Sequence, residues 1–559
     1  MANAFEEYQK WLNSSLLSPQ EKEELSSLNK EEINDRFYKD LTFGTGGLRG
    51  VMGIGTNRMN RYIIRKATQG LANYLLNIKK KPSVSIAYDS RNNSDLFAKE
   101  AARVLASNNI EVYLSAELMP TPFLSFSVRY LKCDAGIVIT ASHNPKQYNG
   151  YKVYGNDGCQ CTLEMANAIY QEIQKIDVFN DIRINDFDEM KQKGLIALVK
   201  ESVVEAYINS TLKESIYQEE RSINIVYTPL NGAGRRCIAS VLSLDGFKNV
   251  KIVKEQEMPN GDFPTCPYPN PEIHEALALG IDLLNKENYD ILIASDPDSD
   301  RLGCAVKTKD SYRILTGNEV GLLILDALLS EKGNKNKDGQ PWIIIKTIVS
   351  TDMANIICNK YGLVVKEVLT GFKFIGEQIL FLEQENARDR FLMGFEESCG
   401  YLTNTDVRDK DAVNAALLIA EIANHYKKQG LTLVDRLDSL YREYGDYKTS
   451  LMSFEYQGEE GQKKIQKIMA TMREPNIDKV IPNIESIGDY KTGLITGKDD
   501  TKPTGLPKSD VIKFFLRNGE TIVIRPSGTE PKLKAYVFAL GQDSLDRLVS
   551  LVKNFISNL

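Results

Sequence analysis

The 559-residue sequence lacks several features that mark whole classes of protein. No hydrophobic run approaches the roughly 18 residues that a membrane-spanning helix needs, so we expect no membrane partner. The sequence also lacks the basic excess that a broad nucleic-acid surface requires, because its formal net charge is −6 at pH 7. Any anionic ligand must therefore be bound by local clusters of arginine and lysine.

Cysteine patterns that mark disulfide or zinc scaffolds are also missing. The eight cysteines are scattered without a Cys-x-x-Cys pair, which argues against both a disulfide framework and a zinc ribbon. Cys159 and Cys161 lie closest together, and reduced thiols are a better interpretation of them than a metal site. Residues 1–7 carry acid where a secretion signal would carry base. We therefore expect a cytoplasmic protein.

Strand-like and helix-like segments alternate through most of the chain. Residues 84–88, 223–227 and 342–345 each resemble a strand followed by a polar loop and a helix. This alternation favours an α/β fold with parallel or mixed sheets, and its repetition suggests three related α/β domains. Residues 6–40 are predicted to be helices packed on the first domain. Residues 476–510, rich in Pro, Gly, Lys and Asp, are predicted to form an irregular lead-in to the last strands.

The most informative segment is Thr140–Lys146, which follows the apolar run 135–139. It places Ser142 and His143 in the loop after a strand, where open α/β sheets present their chemistry. The serine could be a turn or cap residue. It could be a hydrolase nucleophile, but the chain has no GxSxG elbow around it and only three histidines. It could also carry a phosphate, whose oxygens would help to bind a cation.

A second loop carries three carboxylates at alternate positions. Asp296, Asp298 and Asp300 follow an apolar run, and together they offer the oxygen-rich pocket that Mg²⁺ or Ca²⁺ prefers. The loop lacks the glycine and glutamate of an EF-hand. Standing alone, it could equally be an acidic, solvated turn. A phosphorylated Ser142 would explain both loops together, because it would complete the ligand shell of the cation.

A third motif, Arg525–Pro531, follows the strand-like run 521–524 near the C-terminus. Glycine and hydroxyl residues at a strand end can form a nest of backbone N–H groups, and Arg525 adds a bidentate phosphate contact. By contrast, Gly44–Gly47 fits neither GxGxxG nor a Walker A loop, which disfavours nucleotide binding. The C-terminal motif therefore indicates an anchored phosphate group.

Five motifs in this order resemble those of the α-D-phosphohexomutase superfamily, which includes the phosphoglucomutases and phosphomannomutases. The resemblance extends from about residue 40 to residue 559. It implies that Ser142 is phosphorylated, that His143, Lys152 and Arg49 act with it, and that Ser142 and the three aspartates hold Mg²⁺. The substrate-binding residues that it implies are Arg301, Lys346, Thr370, Gly371, Lys373, Glu396, Ser398, Arg525, Ser527, Gly528 and Thr529.

One motif departs from the family pattern. Glu396 and Ser398 match the Glu-x-Ser loop that accepts hydrogen bonds from sugar hydroxyls, but Cys399 and Gly400 follow where many relatives have Gly-His. A histidine acid or base is therefore missing at that position. The residue that exchanges a proton with the sugar hydroxyl is therefore left unassigned.

The resemblance implies three similar α/β domains with mixed sheets and a smaller C-terminal α+β domain around a central cleft. The expected domains are residues 1–210, 211–325, 326–450 and 451–559. The expected fold carries an active site for phosphosugars.

The implied reaction interconverts glucose 1-phosphate and glucose 6-phosphate through glucose 1,6-bisphosphate. Phosphopentomutase and phosphomannomutase activities are alternatives by the same mechanism. A sugar-phosphate sensor and a metal-dependent phosphatase are alternatives from other classes. The sequence is compatible with a monomer or a dimer.

Overall fold

Strands and helices alternate along the chain in a computed structural model that describes residues 2–44, 46–309, 311–456, 458–527 and 532–559. In the described part, no helix is both long enough and apolar enough to cross a membrane. The strands are β1 (Gly47–Val51), β2 (Ser83–Tyr88), β3 (Glu111–Leu114), β4 (Ala135–Ile139), β5 (Tyr148–Gly155), β6 (Ile196–Leu198), β7 (Ile225–Thr228), β8 (Val250–Ile252), β9 (Ile291–Ser295), β10 (Leu302–Lys307), β11 (Tyr312–Leu315), β12 (Ile343–Thr347), β13 (Val364–Val368), β14 (Phe391–Glu396), β15 (Gly400–Leu402), β16 (Tyr447–Glu455), β17 (Ile484–Asp489), β18 (Leu494–Gly497), β19 (Thr501–Pro503), β20 (Ile512–Leu516), β21 (Thr521–Pro526) and β22 (Lys532–Leu540). The helices are α1 (Ala2–Leu12), α2 (Pro19–Ser26), α3 (Lys30–Phe37), α4 (Arg61–Ile78), α5 (Ser94–Ser107), α6 (Thr121–Tyr130), α7 (Leu163–Gln174), α8 (Phe187–Gln192), α9 (Glu201–Leu212), α10 (Gly234–Leu244), α11 (Lys254–Glu257), α12 (His274–Lys286), α13 (Gly317–Lys332), α14 (Met353–Tyr361), α15 (Phe372–Gln384), α16 (Ala412–Lys428), α17 (Leu433–Tyr444), α18 (Gly458–Thr471) and α19 (Gln542–Ser557).

These elements fall into two units, each with its own interior. Unit 1 comprises residues 1–331 and 375–434, and unit 2 comprises residues 332–374 and 435–559. The three predicted strand–loop–helix segments are present: β2 with α5 and β7 with α10 in unit 1, and β12 with α14 in unit 2. That part of the sequence prediction is confirmed.

The first sheet of unit 1 has the strand order β1-β5-β4-β2-β3-β6. Strands β4, β2, β3 and β6 run parallel to one another, whereas β5 is antiparallel to both β4 and β1. All five residues of β4 are buried, as its continuous apolar run predicts for a strand covered on both faces. The loop that carries Ser142 follows β4 directly, so a rigid central strand positions it.

Helices α1 to α3 pack on this first sheet domain, as predicted for residues 6–40. The indole of Trp11 lies edge-on to the rings of Tyr62 (5.5 Å between centroids) and Phe37 (6.0 Å). Reciprocal capping boxes start α2 and α3, which satisfies their first backbone N–H groups. These helices stabilise the domain through an aromatic cluster.

The second sheet of unit 1 has the order β11-β10-β9-β7-β8. Strand β9 is parallel to β7 and antiparallel to β10, and all five of its residues are buried. The aspartate loop connects β9 to β10. Unit 1 also contains the antiparallel pair β14–β15, in which Glu396 lies opposite Gly400. Each of the three polar loops of this unit therefore begins at the end of a buried strand.

Unit 2 contains the parallel pair β12–β13 and a seven-stranded antiparallel sheet, of order β16-β22-β21-β20-β17-β18-β19. Helices α18 and α19 share its main hydrophobic core. The prediction that residues 476–510 are irregular is wrong, because β17, β18 and β19 form an antiparallel meander there. Gly493, with φ +84°, supplies the turn between β17 and β18.

All eight cysteines lie in described ranges, and each is a buried free thiol. Cys159 and Cys161, the closest pair in sequence, are 3% and 2% exposed. Burial raises the pKa of several of these thiols to about 12. The cysteines therefore serve as small core residues, as the sequence suggests.

Candidate active site

The loop after β4 holds Ser142 in a strained but well-supported conformation. Ser142 has φ +52°, and its backbone N–H donates to Thr140 Oγ1 over 2.8 Å. Gly150 of β5 leaves room for this turn, since a Cβ there would lie 2.4 Å from the carbonyl oxygen of Thr140. The result is a nearly buried serine, 3% exposed, in a left-handed backbone conformation of the kind that clusters at functional sites.

The buried guanidinium of Arg91 donates hydrogen bonds to four carbonyl groups of the same loop. It donates to the carbonyl oxygens of Ser142, Asn144, Pro145 (2.9 Å) and Tyr148 (3.1 Å). Its Nε lies 3.4 Å from a carboxylate oxygen of Asp89, and neither of these two side chains is exposed. The planar fork of an arginine suits this arrangement, because it offers five donors in fixed directions. Sequence reasoning missed Arg91 as a site residue.

The aspartate loop brings its three carboxylates together inside the protein. Ligand-type oxygens of Asp296, Asp298 and Asp300 lie within 4.8 Å of one another, and all three residues are buried. Asp296 Oδ1 accepts the backbone N–H groups of Asp300 and Arg301, both over 3.0 Å, which folds the loop back on itself. The loop therefore concentrates negative charge in one small volume.

This charge fits a bound cation. Burial and the charges of Asp298 and Asp300 raise the pKa of Asp296 well above its usual value. Oδ1 of Asp298 and Oδ1 of Asp300 are buried without a hydrogen-bond partner in the described structure. Buried carboxylate oxygens without donors are costly unless a cation binds them. The three aspartates thus have the chemistry of a site for Mg²⁺ or a similar hard cation.

The serine loop and the aspartate loop meet directly. Ser142 Oγ donates to Asp296 Oδ2 over 2.8 Å, although the two residues are 154 positions apart in the sequence. Any group attached to Ser142 Oγ would consequently lie beside the carboxylates. The two motifs that the sequence suggested should act together are therefore adjacent in the structure.

Asp298 is held by two partners from the first domain. Thr121, the first residue of α6, donates its hydroxyl to Asp298 Oδ2 over 2.8 Å, and Lys152 Nζ donates to the same oxygen over 3.0 Å. Burial opposes the charged form of Asp298, but the charge of Lys152 and the hydrogen bonds to the carboxylate together lower its pKa. Burial likewise opposes the charge of Lys152, yet Asp298 and Asp300 raise its pKa. Lys152 is therefore a fixed positive charge at the site.

Arg49 and His143 also lie at the serine loop. Arg49 on β1 donates to Asn144 Oδ1 over 3.3 Å, and His143 Nδ1 lies 3.1 Å from Ser142 Oγ. Burial and the positive charges of Arg301 and Arg49 lower the pKa of His143 well below its usual value. The imidazole is therefore neutral in this environment.

The third loop of unit 1 follows β14 and is tied to the aspartate loop. Arg301 Nη1 donates to the carbonyl oxygen of Ser398 over 3.1 Å and to Glu272 Oε1 over 2.9 Å. Leu302 N–H donates to the carbonyl oxygen of Cys399 over 3.0 Å. Glu396 is 6% exposed, so its carboxylate lies in a largely dry environment. The predicted residues Arg301, Glu396 and Ser398 thus belong to one cluster.

Lys410 joins this cluster, although the sequence analysis did not select it. Its ammonium lies 3.2 Å from Asp300 Oδ2, 3.3 Å from Asp409 Oδ1 and 3.9 Å from Glu396 Oε1. Burial opposes its charge, but Asp300 and Asp409 raise its pKa. Lys410 therefore carries a positive charge between the aspartate loop and the β14 loop.

In unit 2, Lys346 is enclosed by carboxylates. Its side chain on β12 is fully buried, with Nζ 2.9 Å from Glu367 Oε1 and 3.2 Å from Asp352 Oδ1. The same Asp352 carboxylate lies 3.9 Å from Lys513 and accepts a hydrogen bond from Thr521 over 3.3 Å. The charge of Lys346 is therefore neutralised within the unit, and its predicted contact with a sugar phosphate stays a prediction.

The other predicted residues of unit 2 lie at element ends. Gly371, with φ +116°, follows Thr370 and precedes Lys373 at the start of α15. Arg525 at the end of β21 donates from Nη2 to the Tyr536 hydroxyl over 3.2 Å. Ser527 follows β21, whereas the predicted contacts Gly528 and Thr529 lie outside the described residues.

Four family models match the chain in order along its length. They are the phosphoglucomutase/phosphomannomutase α/β/α domains I, II and III and the C-terminal domain, at residues 40–179, 205–309, 316–444 and 459–554. These matches confirm the predicted fold class of three α/β domains and a C-terminal domain.

Curated relatives match over nearly the whole chain. A phosphoglucomutase of Staphylococcus saprophyticus is 35% identical over 555 residues, which cover 98% of this chain and 98% of the relative. A phosphoglucomutase of Staphylococcus haemolyticus is 37% identical over 525 residues, covering 93% and 94%. The chain is therefore similar to these proteins from end to end.

Solved structures share the fold at lower sequence identity. The open form of the Paramecium phosphoprotein pp63/parafusin, described as a phosphoglucomutase, has a TM-score of 0.70 at 19% identity and covers 93% of this chain and 95% of its own. A phosphoglucomutase/phosphomannomutase family protein of Burkholderia thailandensis has a TM-score of 0.66 at 17% identity, covering 92% and 96%. At these identities the likeness bears on the fold alone.

Proposed function

The chain belongs to the phosphoglucomutase/phosphomannomutase family, and from this premise we propose that it interconverts glucose 1-phosphate and glucose 6-phosphate. The observation that carries the proposal is the 2.8 Å contact between Ser142 Oγ and Asp296 of the carboxylate triad. A nucleophile beside a cation site is the arrangement that phosphoryl transfer requires. The choice of glucose rests on the curated relatives, which are phosphoglucomutases.

The proposed cycle begins with a phosphoryl group on Ser142. The 6-hydroxyl of glucose 1-phosphate attacks this phosphorus, the bond from Ser142 Oγ to phosphorus breaks, and the hydroxyl proton ends on the freed Ser142 Oγ. The product, glucose 1,6-bisphosphate, then turns so that its 1-phosphate faces Ser142. Ser142 Oγ attacks that phosphorus, the bond to the sugar 1-oxygen breaks, and the serine proton ends on this oxygen as the 1-hydroxyl. Glucose 6-phosphate leaves, and the phosphoserine is regenerated. Glucose 1,6-bisphosphate is thus both the intermediate and the activator of a dephosphorylated chain.

The three aspartates and Ser142 would hold Mg²⁺. When bound, this cation supplies positive charge to the phosphoryl oxygens. The unpartnered carboxylate oxygens of Asp298 and Asp300 support this assignment. Thr121 keeps Asp298 in place by a hydrogen bond to its second oxygen.

Fixed cations of the chain would offset the charge that develops during transfer. Lys152 stays protonated beside Asp298, because its pKa is raised. Arg49 lies at the serine loop through its bond to Asn144. We assign His143, which is neutral and 3.1 Å from Ser142 Oγ, the role of a hydrogen-bond partner of that oxygen. These groups are placed before the reaction starts, which is the main source of electrostatic stabilisation in such sites.

The sugar would be bound by the loop after β14. Glu396 and Ser398 are the proposed acceptors for sugar hydroxyls, and Arg301 orients this loop through the carbonyl of Ser398. The residues of unit 2 proposed to bind phosphate or sugar stay predictions: Lys346, Thr370, Gly371, Lys373, Arg525, Ser527, Gly528 and Thr529.

Three wider features remain part of the proposal. The domain division at residues 1–210, 211–325, 326–450 and 451–559 is a prediction. So is the monomeric or dimeric state. A cytoplasmic location is supported by the free thiols of all eight cysteines, a state that a reducing compartment maintains.

The first experiment measures isomerisation of glucose 1-phosphate with Mg²⁺ and a trace of glucose 1,6-bisphosphate. Ser142→Ala is expected to lower turnover by at least about 10⁴-fold, since the phosphoryl acceptor is lost. Ser127→Ala, which removes another buried serine hydroxyl, is the matched control for effects on folding. Intact mass should show one phosphate on the wild-type chain and none on Ser142→Ala.

Other outcomes would redirect the proposal. Faster turnover of ribose 1-phosphate or mannose 1-phosphate would keep the mechanism and change the substrate. Net release of inorganic phosphate would indicate a phosphatase. Absence of turnover with all three sugars, together with an unphosphorylated Ser142, would indicate a sugar-phosphate sensor.

A further inference from the structure

Strand β5 carries a second polar side chain beyond Lys152. Side chains alternate along a strand, so Tyr154 lies on the same face as Lys152. Tyr154 is fully buried, and its hydroxyl donates to Asp409 Oδ2 over 2.6 Å. Burial and the Asp409 charge raise the pKa of Tyr154 well above its usual value, so the hydroxyl keeps the proton that it donates. This is a short, charge-assisted hydrogen bond in a dry interior.

The other oxygen of the Asp409 carboxylate faces the next residue along the chain. Oδ1 of Asp409 accepts the backbone N–H of Lys410 over 2.7 Å and its ammonium over 3.3 Å. One carboxylate therefore connects the tyrosine hydroxyl to both the main chain and the side chain of Lys410. With each oxygen engaged, Asp409 has little freedom to rotate.

The position of Lys410 is constrained along its aliphatic stem as well. A Cβ at Gly400 would lie 2.3 Å from Cδ of Lys410, so the stem packs closely against the backbone of β15. The ammonium then lies 3.2 Å from Asp300 and 3.9 Å from Glu396. A displacement of the ammonium by about an ångström would change its relative attraction to the two carboxylates, because Coulomb attraction changes steeply at such distances.

From these contacts we infer that Tyr154 is a positioning residue that acts through Asp409 on Lys410. The buried hydroxyl fixes the Asp409 carboxylate, and the carboxylate holds the Lys410 ammonium between Asp300 and Glu396. The inference rests on the proposed function, because Glu396 is there assigned to the sugar and Asp300 to the cation. Tyr154 and Asp409 would thus support sugar binding from outside the loop that contains Glu396.

The loss of the tyrosine hydroxyl should weaken substrate binding more than chemistry. In Tyr154→Phe, Asp409 is free to turn its second oxygen towards Lys410 and draw the ammonium away from Glu396. We expect KM for glucose 1-phosphate to rise about tenfold, as it would if a misplaced Glu396 lost one charge-assisted hydrogen bond to the sugar, with a smaller change in kcat. Titration calorimetry of glucose 1-phosphate into the Ser142→Ala protein, with and without Tyr154→Phe, measures the same weakening without turnover.

Tyr207→Phe is the matched control. Tyr207 is also fully buried, and its hydroxyl donates to a neighbouring carboxylate of the same loop, Asp411, over 2.9 Å. The chemical change and the loss of a buried hydrogen bond are therefore alike, but the other bonds of Asp411 come from the backbone N–H groups of Val413 and Asn414 in α16. Tyr207→Phe should lower thermal stability as Tyr154→Phe does and leave KM within about twofold of the wild type.

A double-variant cycle separates positioning from a merely structural role. In a Lys410→Met background the ammonium is gone, so Tyr154→Phe should produce no further rise in KM. The inference is overturned if Tyr154→Phe keeps its full effect in that background, or if its KM equals that of the wild type. A wild-type chain that does not isomerise glucose 1-phosphate would instead contradict the proposed function.

Discussion

At the scale of single residues, the site depends as much on side chains that hold its loops in place as on the candidate nucleophile and metal ligands. Ser142 is the clearest example, because its reactive group is a single oxygen atom, whereas its position depends on Arg91 and Thr140. Asp298 likewise depends on Thr121 and Lys152. A serine that must meet a cation site within hydrogen-bond distance tolerates little displacement.

Arg91→Lys tests this dependence. A lysine offers three donors from a single atom and cannot serve four carbonyl groups in fixed directions. We expect kcat to fall about a hundredfold, the order of loss for a reacting group displaced by an ångström, with KM changed far less. Steady-state kinetics measures both constants.

The control for that variant is Arg103→Lys. Arg103 is the tenth residue of α5, and it also donates to a main-chain carbonyl oxygen, that of Asn185. It should retain wild-type turnover. An Arg91→Lys protein with normal kcat would show that the serine loop holds its shape without the guanidinium.

At the scale of secondary-structure elements, helix ends and strand ends supply the fixed points of the site. Helix α6 begins at Thr121, against the Asp298 loop, where the positive end of the helix dipole favours a carboxylate. Helix α16 begins directly after the Asp409–Asp411 segment, with Asp411 as its cap. Asp411 therefore fixes the first turn of α16.

Asp411→Ala should destabilise the protein through this helix end. Asp411 Oδ1 accepts the N–H groups of Val413 (2.9 Å) and Asn414 (3.1 Å) and the Tyr207 hydroxyl. Loss of the cap and of the acceptor for a buried hydroxyl should lower the free energy of unfolding by about 2–4 kcal/mol. Denaturant titration measures the change, and Asp411→Asn, which keeps an acceptor oxygen, should lose much less.

The same carboxylate should make stability depend on pH. Burial raises the pKa of Asp411 to about 6 in the folded protein, so the folded state holds this proton more tightly than the unfolded chain. Its contribution to stability is then present at low pH and is lost as pH rises through about 6. Thermal melts from pH 4.5 to 7.5 should show Asp411→Asn gaining stability relative to the wild type; a constant difference would contradict this assignment.

At the scale of the whole molecule, the predicted site residues are divided between the two units. Unit 1 contains the serine, aspartate and β14 loops, and unit 2 contains the arginine of the predicted phosphate loop. In unit 2 a set of charges connects β12 to the seven-stranded sheet: the buried Lys346 and Lys513 and the half-buried Asp352 and Glu367. Burial disfavours the charge of Glu367, but Lys346 and Lys513 lower its pKa to about 2.

Removing Lys346 should therefore weaken unit 2. Lys346→Met leaves two half-buried carboxylates with less positive charge nearby, and we expect a cost of about 3 kcal/mol, the low end of the range for breaking a buried ion pair. Amide hydrogen exchange followed by mass spectrometry should show faster exchange in β12 and β20. Lys508→Met, at an exposed lysine of the same unit, is the control. Unchanged exchange together with a weakened affinity for substrate would instead support the predicted phosphate contact of Lys346.

The sequence predicted those parts of the site that are contiguous in the chain. Ser142 and the three aspartates each lie in a short motif with chemistry of its own. Interpreting the two motifs as one site predicted that they are adjacent in the fold. Arg91 and Thr121 were missed because they act through contacts across 51 and 177 positions, which leave no local spacing. The meander at residues 476–510 was missed for a similar reason: its polar composition suits turns, while the pairing of β17 with β20 makes it a sheet.

The burial of every cysteine has a practical consequence for optical experiments. Thiol-reactive dyes need an exposed thiolate, and the native chain offers only buried thiols, several with a pKa near 12. A cysteine introduced at a chosen surface position would thus be labelled with little reaction at the native cysteines. Pairs of such labels, one in each unit, would let energy transfer follow the distance between the units during turnover in the otherwise native protein.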